Sequence, residues 1–466
     1  MTTDLTQATA AQLSAFYAAA EASPVETMTA VLARAERVNP RLNALTRVDA
    51  DEALQAARAS EARWRSGAPL SPLDGVPVSI KELVRVAGWP LTMGSRLTDK
   101  APATEDSPPV SRLREAGAIL FAQTTSPEYG YKGVTDSPLN GVTRNPWNLE
   151  RTPGGSSGGA GAAVAAGLGP LAIGTDGGGS VRIPASMCGL VGLKATFGRV
   201  PAWPASMHGD LANTGPMTRT ALDCALMMNA IAQSDSRDPF ALPADGVDYA
   251  TALDAPVAGS KVALMLHQGD HPVDPEISAA VTAAARQFEA LGCVVEEAEA
   301  PFDDGEAGTI WAIHWMSSIQ RLLQIYPKER HGEFDPGLME QARIGASFTV
   351  QTLVDAHVRR REIAHRWNLF FDRYDLVIGP TLAVLPWGVG RNLPDGPDGK
   401  PNLNWACTAV FNLTRHPAAS VPCGLSGGGL PIGLQIVGRH YEDARVLAAA
   451  AAFERVQSFA FPTLPA

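Results

Sequence analysis

The chain has no cluster of basic residues, no paired-cysteine motif and no long run of bulky apolar residues, and each absence removes a class of protein. Thirty-eight Lys and Arg against 48 Asp and Glu leave a formal net charge of −10 over 466 residues. A surface that binds nucleic-acid phosphates needs gathered cations, so no nucleic-acid partner is expected. The five cysteines, Cys188, Cys224, Cys293, Cys407 and Cys423, stand far apart with no C-x-x-C. That spacing argues against a disulfide framework or a zinc site and reads as reduced, buried thiols. The opening MTTDLTQATA carries an acid and no basic stretch leading into an apolar run, so no secretion signal is expected and the expected location is the cytoplasm. The most lipophilic window, 159–174, is mostly Gly and Ala and contains Pro170. It reads as a buried helix followed by the start of a strand, with no membrane span.

What is present is an ordinary globular composition, 45% hydrophobic and 18% charged, arranged as helices alternating with strands. Residues 9–66 read as helical, the second segment opening with Ser23 as cap and Pro24 in the first turn. The β-branched run in DGVPVSIKEL predicts a short strand ending at Lys81. A buried strand is expected at 118–123, another at PLAIGTD, and helices at 219–232 and 275–291. KVALML, CVVEEAEA, DLVIGP, AASVPCG and LPIGLQIVG read as further strands, with a long helical stretch over 306–373 and a terminal helix from Tyr441. The alternation predicts a layered α/β/α fold around a large mixed, mostly parallel sheet flanked by helices. No repeat or linker divides the chain, so a single domain over 1–466 is expected.

The segment RTPGGSSGGAGAAVAAGLGPLAIGTDGGGSVRIPA, 151–185, holds two glycine-rich clusters with serine and no histidine. Both clusters fall where a strand or loop passes into a helix, where backbone N–H groups are unpaired and can bind an anion or an oxyanion. Three readings compete. Gly155, Ser157 and Gly159 spell G-x-S-x-G, the nucleophile elbow of α/β-hydrolases, but NPWNLERTP stands where that motif needs a strand. Its acid and histidine partners would lie downstream, His416 and His440 being available. GAGAAV from Gly159 resembles a dinucleotide fingerprint but lacks its third glycine and its leading strand, so close helix packing explains the glycines better. The third reading takes Ser156, Ser180 and Lys81 together. Judged alone, each serine is a turn or cap residue and Lys81 an exposed strand end. A lysine drawn inward by VPVSI, however, would lose its proton more readily and could serve as a base.

With these residues in hand, the chain resembles the amidase signature family, serine hydrolases with a Ser–Ser–Lys triad. The resemblance runs unbroken from Gly154 to Pro184, GGSSGGAGAAVA and AIGTDGGGSVRIP. It extends through GVPVSIKELVRVAGWPLTMGSR, TDSPLNGVTRNPWN, GLVGLKATFGRVP, GPMTRT and PAASVPCGLSGGGLPIGLQIVGR. It departs at Ala195, where proline is usual, and at Glu82, where aspartate is common. The resemblance implies a helical lead-in over about 1–66, a signature core over about 70–220, a variable helical insert over about 233–373 and a C-terminal return to the sheet.

The resemblance further implies Lys81 as base, Ser156 as relay, Ser180 as nucleophile and a cis Gly155–Ser156 peptide. Backbone amides of Gly177, Gly178, Gly179 and Ser180 would form the oxyanion hole. Thr175, Asp176 and Arg182 would support that loop, and Ser157 would cap the next helix or hydrogen-bond beside the triad. Expected pocket walls are 126–130, including Tyr129 and Gly130, then 208–215 and the regions around Trp311–Trp315 and Pro380–Trp387. The implied reaction is hydrolysis of a small-molecule amide to acid and amine or ammonia, with esters or carbamates as further substrates. It implies no metal or cofactor and no membrane partner, the chain acting as a monomer or a homodimer. The alternatives are a glutaminase-type amidotransferase component, which would need partner chains, and an esterase built on Ser157.

Overall fold

The computed structural model describes residues 4–267, 272–302, 304–396, 399–457 and 459–462. The opening helices form where the caps predict. Ser23 and Glu26 exchange side-chain and backbone hydrogen bonds at the start of the helix Pro24–Leu42, with Pro24 in its first turn. The lead-in is not helical throughout. Asn43, with φ of 53°, ends that helix, and a strand, β1 (Leu45–Val48), follows before the helix Ala50–Arg65. Helical composition loses here to pairing, because β1 lies antiparallel on the edge of β3.

The remaining strands are β2 (Pro77–Lys81), β3 (Ile119–Thr124), β4 (Asp136–Ser137), β5 (Gly141–Val142), β6 (Leu171–Asp176) and β7 (Val191–Lys194). They continue with β8 (Asn213–Thr218), β9 (Lys261–Leu264), β10 (Val294–Glu297), β11 (Leu376–Pro380), β12 (Ala418–Leu425) and β13 (Pro431–Gly438). Eleven of them form one sheet in the order β1-β3-β2-β6-β8-β7-β12-β13-β11-β9-β10, and β4 and β5 form a separate pair. The residues packed on this sheet alternate along each strand. Val262, Leu264, Leu376, Ile378, Leu434 and Ile436 belong to one apolar cluster, while Ala263, Met265, Val377 and Val437 belong to another. Period-two alternation puts these clusters on opposite faces, giving the layered α/β/α arrangement.

The sheet is mixed, as expected, but not mostly parallel. Of its ten neighbour pairs, four are parallel and six antiparallel. Parallel neighbours need a long crossover, and β2–β3 and β9–β10 have one in the helices Pro108–Glu115 and Pro275–Ala290. The middle of the sheet is instead filled by the hairpin β12–β13, turned through 426–429, which can pair only antiparallel. Two central strands, β7 and β8, escape sequence reading. Gly215 and Pro216 look like breakers, yet Pro216 lies opposite Ile173 inside the sheet.

All five cysteines are buried and free of disulfides. The window 159–174 is a buried helix, Gly158–Ala165, followed by β6. Among the described residues no helix is long and apolar enough to cross a membrane.

Candidate active site

Strands β2 and β6 are parallel neighbours with Ile80 opposite Ile173, so their C-terminal ends emerge at one edge of the sheet. Lys81 stands at the end of β2 and Thr175 and Asp176 at the end of β6. The signature serines approach this edge from the loop before the helix Gly158–Ala165. The Gly155–Ser156 peptide is cis.

Lys81 is fully buried. Its Nζ lies 2.7 Å from Ser156 Oγ, 2.9 Å from Ser157 Oγ and 2.8 Å from Thr175 Oγ1, three hydroxyls with no carboxylate among them. Burial pushes the Lys81 ammonium down to about 7 against the opposing pull of Asp176 and Glu82. Ser157 is held in place behind the lysine. Its Oγ accepts from the Thr175 N–H and donates to the Thr175 carbonyl, both at 3.2 Å, and its N–H donates to the Ser180 carbonyl. Ser157 precedes the helix without capping it through its side chain, so the expectation of a cap gives way to the hydrogen bonds beside Lys81.

Ser156 and Ser180 both face a cavity of about 380 Å³. No hydrogen bond joins their hydroxyls among the described residues; Ser180 Oγ is open to the cavity, and Ser156 Oγ is engaged by Lys81. Tyr129 and Gly130 line the same cavity, as does Trp315, together with Leu83, Met93, Met207, Leu322 and Ile325. Gly130, at φ of +70°, has no room for a side chain, since a Cβ would meet Leu83 at 2.8 Å and Ser156 Oγ at 3.2 Å. Tyr129 donates to or accepts from Tyr326 at 2.6 Å. Of the expected walls, 208–215 contributes His208, Ala212, Asn213 and Thr214. The region Pro380–Trp387 contributes none; Trp387 packs on Trp405 in a separate cluster with Ile183 and Met187. Residues 202–207 and 321–326, which carry no motif, supply walls that sequence reading missed.

The loop from Asp176 to Ser180 is fixed plane by plane. The carbonyl of Asp176 accepts from Asn412 Nδ2 at 3.0 Å, that of Gly177 from Trp311 Nε1 at 2.9 Å and that of Gly178 from Thr408 Oγ1 at 2.6 Å. The carbonyl of Gly179 accepts from the Ile183 N–H at 2.6 Å. Gly179 sits at φ of +127°, and a Cβ there would fall 2.1 Å from Thr408 Oγ1. Its N–H donates to Asp176 Oδ1 at 2.7 Å. Of the four amides expected to bind an oxyanion, the Gly179 N–H is thus engaged by a buried carboxylate. The N–H groups of Gly177, Gly178 and Ser180 have no acceptor among the described residues.

Asp176 and Arg182 form the support beneath this loop. All five guanidinium N–H groups of buried Arg182 are used, on both Asp176 oxygens, the Thr408 carbonyl, Gln435 and Asn412. Burial alone would raise the Asp176 carboxyl, but Arg182, Asn412 and Lys194 outweigh it and hold it at about 2. Glu82 plays a comparable part on the other side. It is buried and accepts from Ser126 N–H and Oγ, from Asn140 and from Thr92, tying the Tyr129 segment to the end of β2. Thr408 and Asn412 carry no recognisable motif and Gln435 lies in the C-terminal segment of the family resemblance, and only their distance in space to Asp176 and Arg182 identifies the part the three play here.

The layered α/β/α fold thus carries, at one edge of its sheet, a lysine enclosed by hydroxyls beside a loop whose amides at Gly177, Gly178 and Ser180 have no acceptor among the described residues. The family model described as Amidase matches residues 26–447, and the chain belongs to the amidase signature family. It is 38% identical to an acylamidase of Rhodococcus erythropolis, the match spanning 97% of this chain and 96% of that one. It is 35% identical to a glutamyl-tRNA(Gln) amidotransferase component of Myxococcus xanthus, over 98% of each. Among solved structures, a bacterial aryl acylamidase of the amidase signature enzymes superposes with a TM-score of 0.89 at 36% identity, covering 96% of each chain. A 6-aminohexanoate cyclic dimer hydrolase with bound substrate gives 0.89 at 30% identity, covering 99% of this chain and all of that one.

Proposed function

We propose that the chain is a serine amidohydrolase that cleaves a carboxylic amide C–N bond, with Ser180 as nucleophile, Ser156 as relay and Lys81 as base. The observation that carries this reading is the neutral-leaning Lys81 amine, buried among three hydroxyls at 2.7–2.9 Å.

In the proposed sequence Ser180 Oγ attacks the amide carbonyl while its proton passes to Ser156, whose own proton passes to Lys81. The carbonyl π pair becomes an oxyanion that accepts from the amides of Gly177, Gly178 and Ser180. The C–N bond then breaks as Ser156 returns a proton to the leaving nitrogen and is itself reprotonated by Lys81. Amine or ammonia departs, leaving an ester on Ser180. Water repeats the steps, giving its proton along the same path, and releases the carboxylic acid. The predominantly apolar walls favour an apolar acyl or amine group.

The amidotransferase reading keeps a specific observation in its favour, the 35% identity to the Myxococcus protein. One experiment separates the two. The purified chain, without partners, is given a panel of simple amides including p-nitroanilides, and a fluorophosphonate is used to find the reactive serine by mass spectrometry. Turnover by the chain alone and a label on Ser180 that Ser180→Ala removes are expected. A label on Ser157, or release of ammonia only from glutamine in the presence of partner chains, would overturn the proposal.

A further inference from the structure

The oxyanion loop is oriented in part by a residue outside the signature. In a trans peptide the carbonyl of one residue and the N–H of the next point in opposite directions, so whatever grips a carbonyl aims the following amide. The Gly178 carbonyl, held by Thr408, aims the Gly179 N–H at Asp176, where the structure finds it. By the same rule the donor on the Gly177 carbonyl governs the Gly178 N–H. That donor is the indole Nε1 of Trp311, at 2.9 Å, and no other group donates to this carbonyl among the described residues.

Trp311 belongs to the helix Asp304–Ile319. Its ring lies against the loop so closely that a Cβ on Gly178 would come within 2.5 Å of it. The ring is itself held by stacking. Trp311 packs on Trp315 with centroids 5.0 Å apart and planes at 20°, and Trp315 packs on His208 at 3.6 Å and 2°. His208 is hydrogen-bonded through Nδ1 to Ser318 on the same helix, and burial pushes its imidazole down to about 3, so the stack is uncharged. A glycine pair has little conformational preference of its own, so an external donor decides how its peptide plane is turned.

We infer that Trp311 is a positioning residue for the oxyanion hole, turning the Gly177–Gly178 peptide so that the Gly178 amide meets the developing oxyanion. This role rests on the amidohydrolase reading, in which the 177–180 loop holds the oxyanion. Its effect belongs to the transition state, because the oxyanion exists only after attack.

The test uses the full chain, a p-nitroanilide that the wild type hydrolyses and an aryl trifluoromethyl ketone. With the ketone, Ser180 Oγ bonds to the carbonyl carbon and the oxygen becomes a stable oxyanion. Trp311→Phe removes the N–H and keeps a ring, and replacing Trp311 by benzothienylalanine keeps the shape of the indole and removes only the N–H. For both, kcat is expected to fall about 10- to 100-fold, less than outright loss of a donor. The ketone Ki should rise by a similar factor while KM stays within about twofold. Trp315→Phe is expected to move KM more than kcat, since that ring lines the cavity and its Nε1 has no hydrogen-bond partner among the described residues. If the benzothienylalanine enzyme keeps wild-type kcat and ketone Ki, Trp311 acts only by packing and the inference falls. If the wild type neither hydrolyses any amide nor forms the ketone adduct, the amidohydrolase reading itself falls, a result distinct from the first.

Discussion

Raising or lowering pH should switch the proposed base on and off near neutrality, and changing one buried charge should move that switch in a known direction. With the Lys81 ammonium brought down to about 7, about 10% of the enzyme carries a neutral lysine at pH 6 and about 90% at pH 8. A solvent-exposed lysine would be neutral in only about 0.04% of molecules at pH 7. Burial therefore raises the fraction of competent base more than a thousandfold. A plot of log(kcat/KM) against pH should rise with unit slope below about pH 7 and level above it, because protonation removes the base. Glu82 is one of the two carboxylates that oppose the downward shift, the other being Asp176. Glu82→Gln deletes that negative charge, so the protonated lysine loses stabilisation and the rising limb should move to lower pH, by at least about one unit, the value for a charge roughly 12 Å away at an effective dielectric near 20. The assay is p-nitroaniline release over pH 5–10 at low substrate for the wild type and Glu82→Gln. A rising limb near pH 10, or an alkaline displacement in Glu82→Gln, would refute the assignment of Lys81 as a buried neutral base.

The two adjacent serines should separate cleanly: Ser156→Ala is expected to lose at least about a thousandfold in kcat, as for loss of a relay in a coupled set. Ser157→Ala, which removes one of three hydroxyls from Lys81 Nζ, should lose about tenfold, and the reverse order in steady-state kinetics would return the nucleophile-elbow reading. Arg182→Met leaves the Asp176 carboxylate buried with its main counter-charge gone. It should cost about 3–5 kcal/mol in urea denaturation, whereas a change within about 1 kcal/mol would show that Asn412 and Lys194 suffice.

The glycine clusters, Lys81, Ser156 and Ser180 were legible as one candidate site because the family resemblance carries those residue types at those spacings, and the fold sets Lys81 against Ser156. The strand ending at Lys81 was legible for a different reason, its β-branched run. The hydrogen bonding of the 176–180 loop was not legible. Four amides follow from DGGGS, and only the bond from Gly179 to Asp176 shows that one of them is occupied. The sheet was misread in its centre for a related reason: β8 contains Gly215 and Pro216, and no local pattern says that the hairpin β12–β13 will close the middle antiparallel. The wall predicted at Pro380–Trp387 failed because aromatic content marks burial without saying which of two clusters is being filled.

By itself, then, the sequence determined the family, the layered α/β class and the identity of the chemically suited side chains, all of which depend on residue type and local spacing. The tertiary structure decided which groups meet. It brings Lys81 beside serines about 75 positions away in the chain, spends the Gly179 amide, and sets Trp311, Thr408 and Asn412 on three successive carbonyls. Hydrogen bonds of this kind depend on distance in space and on the direction of a peptide plane. Neither quantity is written in the order of residues, and both are established only when the sheet edge, the helical insert and the C-terminal segment pack together.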